Sequence, residues 1–90
     1  MENYLPIGTV VRLNKGIKYL MICGRFQKGD AGEITYDYSG CLYPEGNLSS
    51  KYMFLFNNSD IEEIVYMGYI NEQEKELRRK LSQLKNKEEK

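Results

Sequence analysis

The side chains that most often carry out acid–base or nucleophilic chemistry are sparse in this chain. It contains no histidine, so the commonest general base is absent and any triad that uses histidine is excluded. The carboxylates of the first seventy residues show no spacing that brings two into one pocket; they include Asp37, Glu45, Asp60, Glu62 and Glu63. We interpret them as solvated charges and expect a non-enzymatic protein without a cofactor or a metal.

Two further patterns could bind phosphate, and both are weak. Glycines at 24, 29 and 32 lack the following Lys-Ser/Thr of a phosphate loop and precede a predicted strand instead of a helix. The basic cluster at residues 78–80 has acidic neighbours three or four positions away, as is typical of a solvated helix face. Neither pattern indicates a phosphate site.

The two cysteines, Cys23 and Cys41, match no metal or redox spacing, and we expect both to be buried free thiols. The first residues lack the basic and apolar regions of a signal peptide, and no run of apolar residues is long enough to span a membrane. These features predict a cytoplasmic protein that does not interact with membranes.

The net charge of the chain does not indicate a particular class of partner. Thirteen basic and thirteen acidic residues cancel, although residues 71–90 are slightly basic and the preceding residues slightly acidic. A balanced chain is not steered strongly toward nucleic acid, so we do not expect a nucleic-acid partner. A small nucleic-acid-binding barrel stays open as an alternative because the chain is rich in aromatic residues.

The hydrophobic pattern predicts an α+β fold, with a small antiparallel sheet or partly open barrel of about five strands followed by a C-terminal helix. Strands are predicted from runs of β-branched and aromatic residues between turn signals, at residues 9–13, 17–23, 33–38, 52–56 and 64–69, with a further extended piece at 41–43. A polar loop is predicted at residues 27–32, and one helical turn capped by Ser59 or Asp60. Residues 1–70 form the predicted body, and the whole chain is one domain.

Residues 71–90 change to a helical period. Asn71 and Glu74 have the spacing of a capping box, and acidic residues precede basic ones as the helix dipole favours. One narrow apolar stripe runs along this helix, formed by Ile70, Leu77, Leu81 and Leu84, with Glu74 in one of its positions. So thin a stripe can bind the body only weakly, and we expect it to contact a partner helix or a second copy of the chain.

Tyrosines are concentrated in residues 36–46, the most distinctive segment of the sequence. Tyrosine offers a large apolar area at low entropic cost and is therefore frequent in protein interfaces. Tyr36 and Tyr38 are equally compatible with a core role, whereas Tyr43 lies beside Pro44 at a turn and is expected to be exposed. The candidate partner-binding residues are Tyr36, Tyr38, Tyr43, Pro44, Leu77, Leu81 and Leu84.

An ordered set of short motifs between residues 4 and 70 resembles the DUF4176 family. The motifs are YLPIGTVV at 4–11, LMICGR at 20–25, YDY at 36–38, GC at 40–41, YPEG at 43–46, FN at 56–57, DIE at 60–62 and GY at 68–69. The resemblance implies a small cytoplasmic companion of LXG-domain toxins in type VIIb secretion systems of Gram-positive bacteria. Such companions are thought to act as targeting chaperones alongside small helical partners.

The resemblance therefore implies a chaperone or adaptor that binds an LXG-type toxin and supports its export, and it supplies no catalytic residues. An immunity protein that inhibits a toxin is a second possibility, because it too would bind a toxin without chemistry of its own. The small nucleic-acid-binding barrel is the third.

Overall fold

A computed structural model describes residues 4–29 and 34–88, with side chains as far as Asn86. Five antiparallel strands form one open sheet that is followed by a helix, which confirms the predicted fold class and decides against a barrel. The strands are β1 (Val10–Leu13), β2 (Tyr19–Lys28), β3 (Thr35–Tyr43), β4 (Phe54–Phe56) and β5 (Ile61–Tyr66), and the helix is α1 (Glu72–Glu88). The strand order is β4-β3-β2-β1-β5, so β2 is central, as its continuous apolar run predicts.

Strands β1 and β2 form an antiparallel hairpin. Its turn uses a positive φ of 63° at Lys15. The Gly16 N–H donates to the Leu13 carbonyl at 3.0 Å and closes the turn.

The sequence predicted that this strand stops before Gly24, but β2 continues to Lys28. A β-bulge allows this, because Ile22 pairs with Gly40 and Gly24 pairs with Ser39, which leaves Cys23 without a partner in β3. A Cβ atom at position 24 would lie 2.6 Å from the Ser39 Oγ atom and 3.1 Å from the Gln27 side chain, so glycine fits here without displacing either side chain. The first part of the predicted 27–32 loop is thus strand, and residues 30–33, where the rest of that loop and the start of the next strand were predicted, lie outside the described residues.

Residues 35–43 form one continuous strand, although the sequence suggested two extended pieces. The most apolar window of the sequence, at residues 52–56, provides only the short strand β4, and a 3-10 turn at Ser50–Tyr52 precedes it. A second 3-10 turn, Asn58–Asp60, leads into β5. Its N-cap is Asn57, whose N–H donates to the Asp60 carboxylate at 2.9 Å, so the predicted caps at Ser59 and Asp60 are wrong.

The core lies on one face of the sheet, which we call the inner face. Val11, Leu20, Ile22, Tyr38 and Phe56 are buried there, and Tyr4 and Leu81 join them from outside the strands. The Tyr38 ring meets Tyr4 edge-on at 5.9 Å and Phe56 at 5.5 Å, both favourable aromatic arrangements. The core therefore combines an aromatic cluster with the aliphatic side chains around it.

The Tyr38 hydroxyl ties this cluster to two loops. It accepts from the Leu5 N–H at 2.8 Å and donates to the Asn58 Oδ1 atom at 2.6 Å. Burial raises the pKa of Tyr38 above its ordinary value, although the bond from Leu5 opposes part of that effect. The phenol is therefore a neutral group that satisfies buried polar atoms.

Helix α1 begins as predicted, since the Glu74 N–H donates to the Asn71 side chain at 2.9 Å. Only half of the capping box forms, because the Glu74 carboxylate binds Arg25 of β2 at 2.5 Å and Arg78 at 3.3 Å. Farther along, Lys85 lies 2.7 Å from the buried Asp37 of β3, and Leu81 enters the core. The helix is thus fixed on the body by two ion pairs and one leucine.

Within the described part of the chain, no helix is both long and apolar enough to span a membrane.

Candidate protein-binding surface

The sheet face opposite the core, which we call the outer face, is lined by side chains that alternate with the core residues. Val10 pairs with Met21, and Met21 pairs with Cys41. Tyr19 pairs with Tyr43 on the same face, because directly paired residues point to the same side of a sheet. Both tyrosines are partly exposed, whereas α1 contacts the inner face through Leu81.

An apolar groove of about 360 Å³ runs across this outer face between β3, β2, β1 and β5. Three tyrosines mark its rim and are partly exposed, with relative accessibilities of 42% for Tyr19, 48% for Tyr43 and 65% for Tyr66. The groove is lined by Gly8, Val10, Tyr19, Met21, Tyr43, Val65 and Tyr66. We call this set the tyrosine groove.

Physical chemistry favours contact with a protein at such a groove. Tyrosine rings hold large apolar areas with only two side-chain torsions to fix, and their hydroxyls can bond at the edge of an interface. Contiguous exposed apolar surface is costly in a free protein and commonly marks a site that a partner covers. The tyrosine groove is therefore the strongest candidate site among the described residues.

The structure separates the tyrosines of residues 36–46. Tyr43 and Pro44 are exposed, and Tyr43 belongs to the tyrosine groove. Tyr36 is half-buried, whereas Tyr38 is fully buried at the centre of the aromatic cluster. Tyr38 can thus support a binding surface only by holding the body together.

The predicted leucine stripe is also divided. Leu81 is buried in the core, while Leu77 and Leu84 each retain 45% of their accessibility. The expectation that the stripe is free for a partner thus holds for Leu77 and Leu84, and for Ile70, which lies before α1 and is 39% exposed, but not for Leu81. Glu74, one helical turn before Leu77, is covered by Arg25, which explains how a charge can occupy a stripe position.

A second groove, of about 570 Å³, lies beside the β5 edge. Its lining combines apolar and polar side chains: Leu5, Asn58, Ser59, Ile61, Glu62 and Ile64. Among the described residues that line it, Glu62 is the only acidic one, so they bring no two carboxylates together. It has the composition of an ordinary surface depression and gives no sign of acid–base chemistry.

Most of the carboxylates that the sequence analysis considered as possible acid–base groups have hydrogen-bond or ion-pair partners within the fold. Asp37 accepts from the Asn58 N–H at 2.9 Å as well as from Lys85, and Glu45 binds Lys18 at 2.6 Å. Glu63 binds Arg12 at 3.2 Å. Among the described residues, no cluster of three or more His, Cys, Asp or Glu side chains could hold a metal ion.

The two cysteines lie beside each other, with their Sγ atoms 3.3 Å apart. Cys41 is buried as expected, but Cys23 is exposed, so the prediction of two buried thiols is wrong for Cys23. Burial, followed by the hydrogen bond with Cys23, raises the pKa of the Cys41 thiol. Cys23 is exposed because it is the extra residue of the β2 bulge.

Sequence reasoning missed Tyr19, Met21 and Tyr66 as surface residues. Tyr19 and Met21 belong to a continuous apolar run, in which periodicity alone cannot separate one face from the other. The available signal was the alternation of Leu20 and Ile22 with these larger or more polarizable side chains. Tyr66 follows a bulge in β5, where the simple alternation fails.

A comparison with family models matches residues 4–77 to a family described as "Domain of unknown function (DUF4176)". The match covers the whole sheet and the first part of α1, and it extends a few residues beyond the motifs that carry the sequence resemblance. Neither a curated protein nor a solved structure matches the chain.

Proposed function

The chain belongs to the DUF4176 family, and from this premise we propose that it is a non-enzymatic chaperone or adaptor that binds an LXG-type toxin and supports its export by a type VIIb secretion system. The observation that carries the binding role is the tyrosine groove, an open apolar surface with three partly exposed tyrosines at its rim. The identity of the partner follows from the family resemblance. The cytoplasm is the proposed place of action, because a chaperone must meet its client before export.

The groove is suited to a folded or helical segment of a partner. Its tyrosine rim offers aromatic contacts and hydroxyls, and Val10, Met21 and Val65 supply an apolar floor and wall. Methionine adapts its shape easily, which favours contact with an apolar helix face. A central apolar area surrounded by groups that can bond to a partner is the usual anatomy of a protein interface.

The structural roles of the carboxylates that the sequence analysis weighed support the non-enzymatic part of the proposal. Asp37 is held by Lys85 and by Asn58, and Glu45 is held by Lys18. A general acid or base needs a site where its proton can be exchanged with a substrate. These carboxylates instead hold elements of the fold together.

Leu77 and Leu84 form a second and smaller contact surface on α1. Their spacing of seven places them on one side of the helix, where they could extend the contact with a client or with small helical secretion partners. The same leucines could support a homodimer in the absence of the client. The molecular masses of the free protein and of the complex in solution would distinguish a homodimer interface from a contact with the client.

The proposal is tested by co-expressing the chain with the toxin encoded beside it, as the full toxin and as its N-terminal and C-terminal halves. We expect a stable complex with the full toxin and with the N-terminal half, and reduced export of the toxin when this chain is deleted. Binding to the C-terminal toxic half alone, together with loss of toxicity, would identify an immunity protein. No complex with any form, and normal export in the deletion strain, would refute a toxin-binding role.

A further inference from the structure

Cys23 and Cys41 bring two thiols into contact across neighbouring strands. Their Sγ atoms are 3.3 Å apart, and both are free cysteines. The contact depends on the β2 bulge, which inserts Cys23 between Ile22 and Gly24 while β3 advances by a single residue. Without the extra residue, Cys23 would be paired with a residue of β3 in the regular strand ladder, and its side chain would not be placed against Cys41.

We propose that Cys23 and Cys41 form a reversible intramolecular disulfide when the protein meets a peroxide or a small-molecule disulfide. This modification does not rest on the proposed function, because it requires only the folded chain and an oxidant. The sulfur atoms must approach by about 1.3 Å to reach the length of a disulfide bond. Rotation of the exposed Cys23 side chain can supply this movement, while Cys41 stays fixed in its buried position.

The two thiols differ in a way that assigns their roles. Cys23 is exposed and can meet the oxidant, whereas Cys41 is buried and protected from direct attack. Burial raises the pKa of the Cys41 thiol above its ordinary value, which disfavours its ionisation. An exposed thiol that is oxidised first, next to a second thiol that resolves the product, is the arrangement found in reversible thiol oxidation.

With hydrogen peroxide, the Cys23 thiolate attacks one oxygen atom, the O–O bond breaks, and a sulfenic acid and one water form after proton transfer. The Cys41 sulfur then attacks the Cys23 sulfur, the S–O bond breaks, and a second water leaves as the disulfide forms. Two thiols are oxidised by two electrons in total, and the peroxide is reduced to two waters. With glutathione disulfide, the same two displacements release two molecules of glutathione thiol.

The disulfide would lie at the margin of the tyrosine groove. Cys41 pairs directly with Met21, which lines that groove. Oxidation would also bind the unpaired residue of the bulge to β3 and remove the one exposed thiol among the described residues. The modification thus protects the chain from mixed disulfides at Cys23.

The test treats the reduced, full-length protein with hydrogen peroxide and, in parallel, with glutathione disulfide, and measures its intact mass after free thiols are alkylated. We expect a monomer lighter by two hydrogen atoms, a peptide that links residues 23 and 41, and recovery of both thiols with a reductant. We also expect disulfide formation at least about tenfold faster in the folded chain than in the chain unfolded by denaturant, since the fold holds the thiols together.

Cys41→Ser and Cys23→Ser variants assign the order of events. Cys41→Ser should accumulate a glutathione adduct at Cys23, whereas Cys23→Ser should react much more slowly at Cys41. The proposal is overturned if the unmodified chain accumulates the same adduct as Cys41→Ser, forms disulfide-linked dimers, or keeps both thiols. Equal rates of disulfide formation in the folded and the denatured chain would also overturn the proposal. This comparison uses the unmodified sequence, so it does not depend on whether a variant folds.

Discussion

The Arg25 guanidinium binds the Glu74 carboxylate at 2.5 Å, and the two side chains keep only 5% and 11% of their accessibility. One partner is in the central strand and the other is in the first turn of α1. The pair therefore fixes the start of the helix on the sheet, in a position where a leucine would have been expected from the stripe. Arg78 lies 3.3 Å from the same carboxylate and helps to compensate its charge.

We predict that Glu74→Gln lowers the free energy of unfolding by about 2 kcal/mol at neutral pH, because it leaves the nearly buried Arg25 without a compensating charge. Burial alone would raise the pKa of Glu74, but the hydrogen bonds and charges of Arg25 and Arg78 outweigh it and hold that pKa below its usual value. The stabilising effect is therefore present above the unfolded-state pKa of about 4.3 and is lost as the pH falls below it, toward the lower pKa of the folded state.

Urea titrations at several pH values check this prediction. The difference between the unmodified chain and Glu74→Gln should be largest near neutrality, should shrink as the pH falls below about 4.3, and should vanish below the lower folded-state pKa, where protonated Glu74 resembles glutamine. Glu72→Gln is the matched control on the same helical turn, since its side chain is 90% exposed and pairs only with Lys75. A difference that stays constant down to pH 3 would contradict a role for the Glu74 charge.

Tyr38→Phe should lower the free energy of unfolding by about 1–2 kcal/mol, because the Leu5 N–H loses its acceptor and Asn58 loses a donor. The ring itself is kept, so the aromatic packing with Tyr4 and Phe56 is preserved. Thermal unfolding beside Tyr69→Phe, which alters an exposed tyrosine, provides the comparison. Equal stability of the two variants would show that water replaces the lost bonds.

Gly68→Ala should be strongly destabilising. A Cβ atom there would lie 2.2 Å from the Ile7 carbonyl oxygen and 3.0 Å from the Thr9 nitrogen, and both are backbone atoms that cannot rotate away. We expect a loss of more than about 2 kcal/mol, as is typical of overpacking at a buried site. Gly29→Ala is the control, because its nearest neighbour would be at 3.6 Å; both variants are compared by chemical denaturation.

Tyr43→Ser combined with Tyr66→Ser should weaken client binding by at least about tenfold while the fold is preserved, since both rings are exposed at the groove. Calorimetric titration of the purified client fragment gives the affinity, and circular dichroism checks the fold. Tyr69→Ser is the control, because Tyr69 is exposed but does not line the groove. Unchanged affinity in the double variant would exclude the groove as the binding surface.

Leu77→Glu combined with Leu84→Glu tests the helix surface separately. These two leucines are exposed enough for charge to be tolerated, whereas a charge at Leu81 would enter the core and unfold the body. We expect a smaller loss of client affinity than for the groove variant, and loss of any homodimer, both measurable by light scattering with chromatography. A larger loss than for the groove variant would place the main contact on α1.

The number and type of the elements could be predicted because their signals are local. Runs such as Val10 to Leu13, and the change to a helical period after Asn71, are visible in short windows. The extent of β2 could not be predicted, since Gly24 normally ends a strand and only its approach to Ser39 explains why glycine continues one here. The sequence predicted a strand over residues 52–56, but β4 covers only Phe54–Phe56. Apolar residues are frequent both in strands and in other contact regions, so apolar composition alone does not show where a strand begins.

The surface could be predicted less well than the fold. The exposure of Tyr43 followed from its place beside Pro44, but burial of Tyr38 depends on Tyr4 and Phe56, which are distant in sequence. Leu81 was assigned to the same stripe as Leu77 because spacing shows which residues share a side of a helix, not which of them meets the sheet. Glu74 in the stripe was the one available sign of an ion pair with the body.

The position of β1 between β2 and β5 has a consequence for synthesis on the ribosome. Strands β1, β2 and β3 can pair in the order in which they emerge, but the second edge of β1 stays open until residues 61–66 have left the exit tunnel. The aromatic cluster is closed still later, when Leu81 arrives. We therefore expect the nascent chain to become resistant to protease only after Leu81 has left the exit tunnel, well after β1, β2 and β3 have been synthesised.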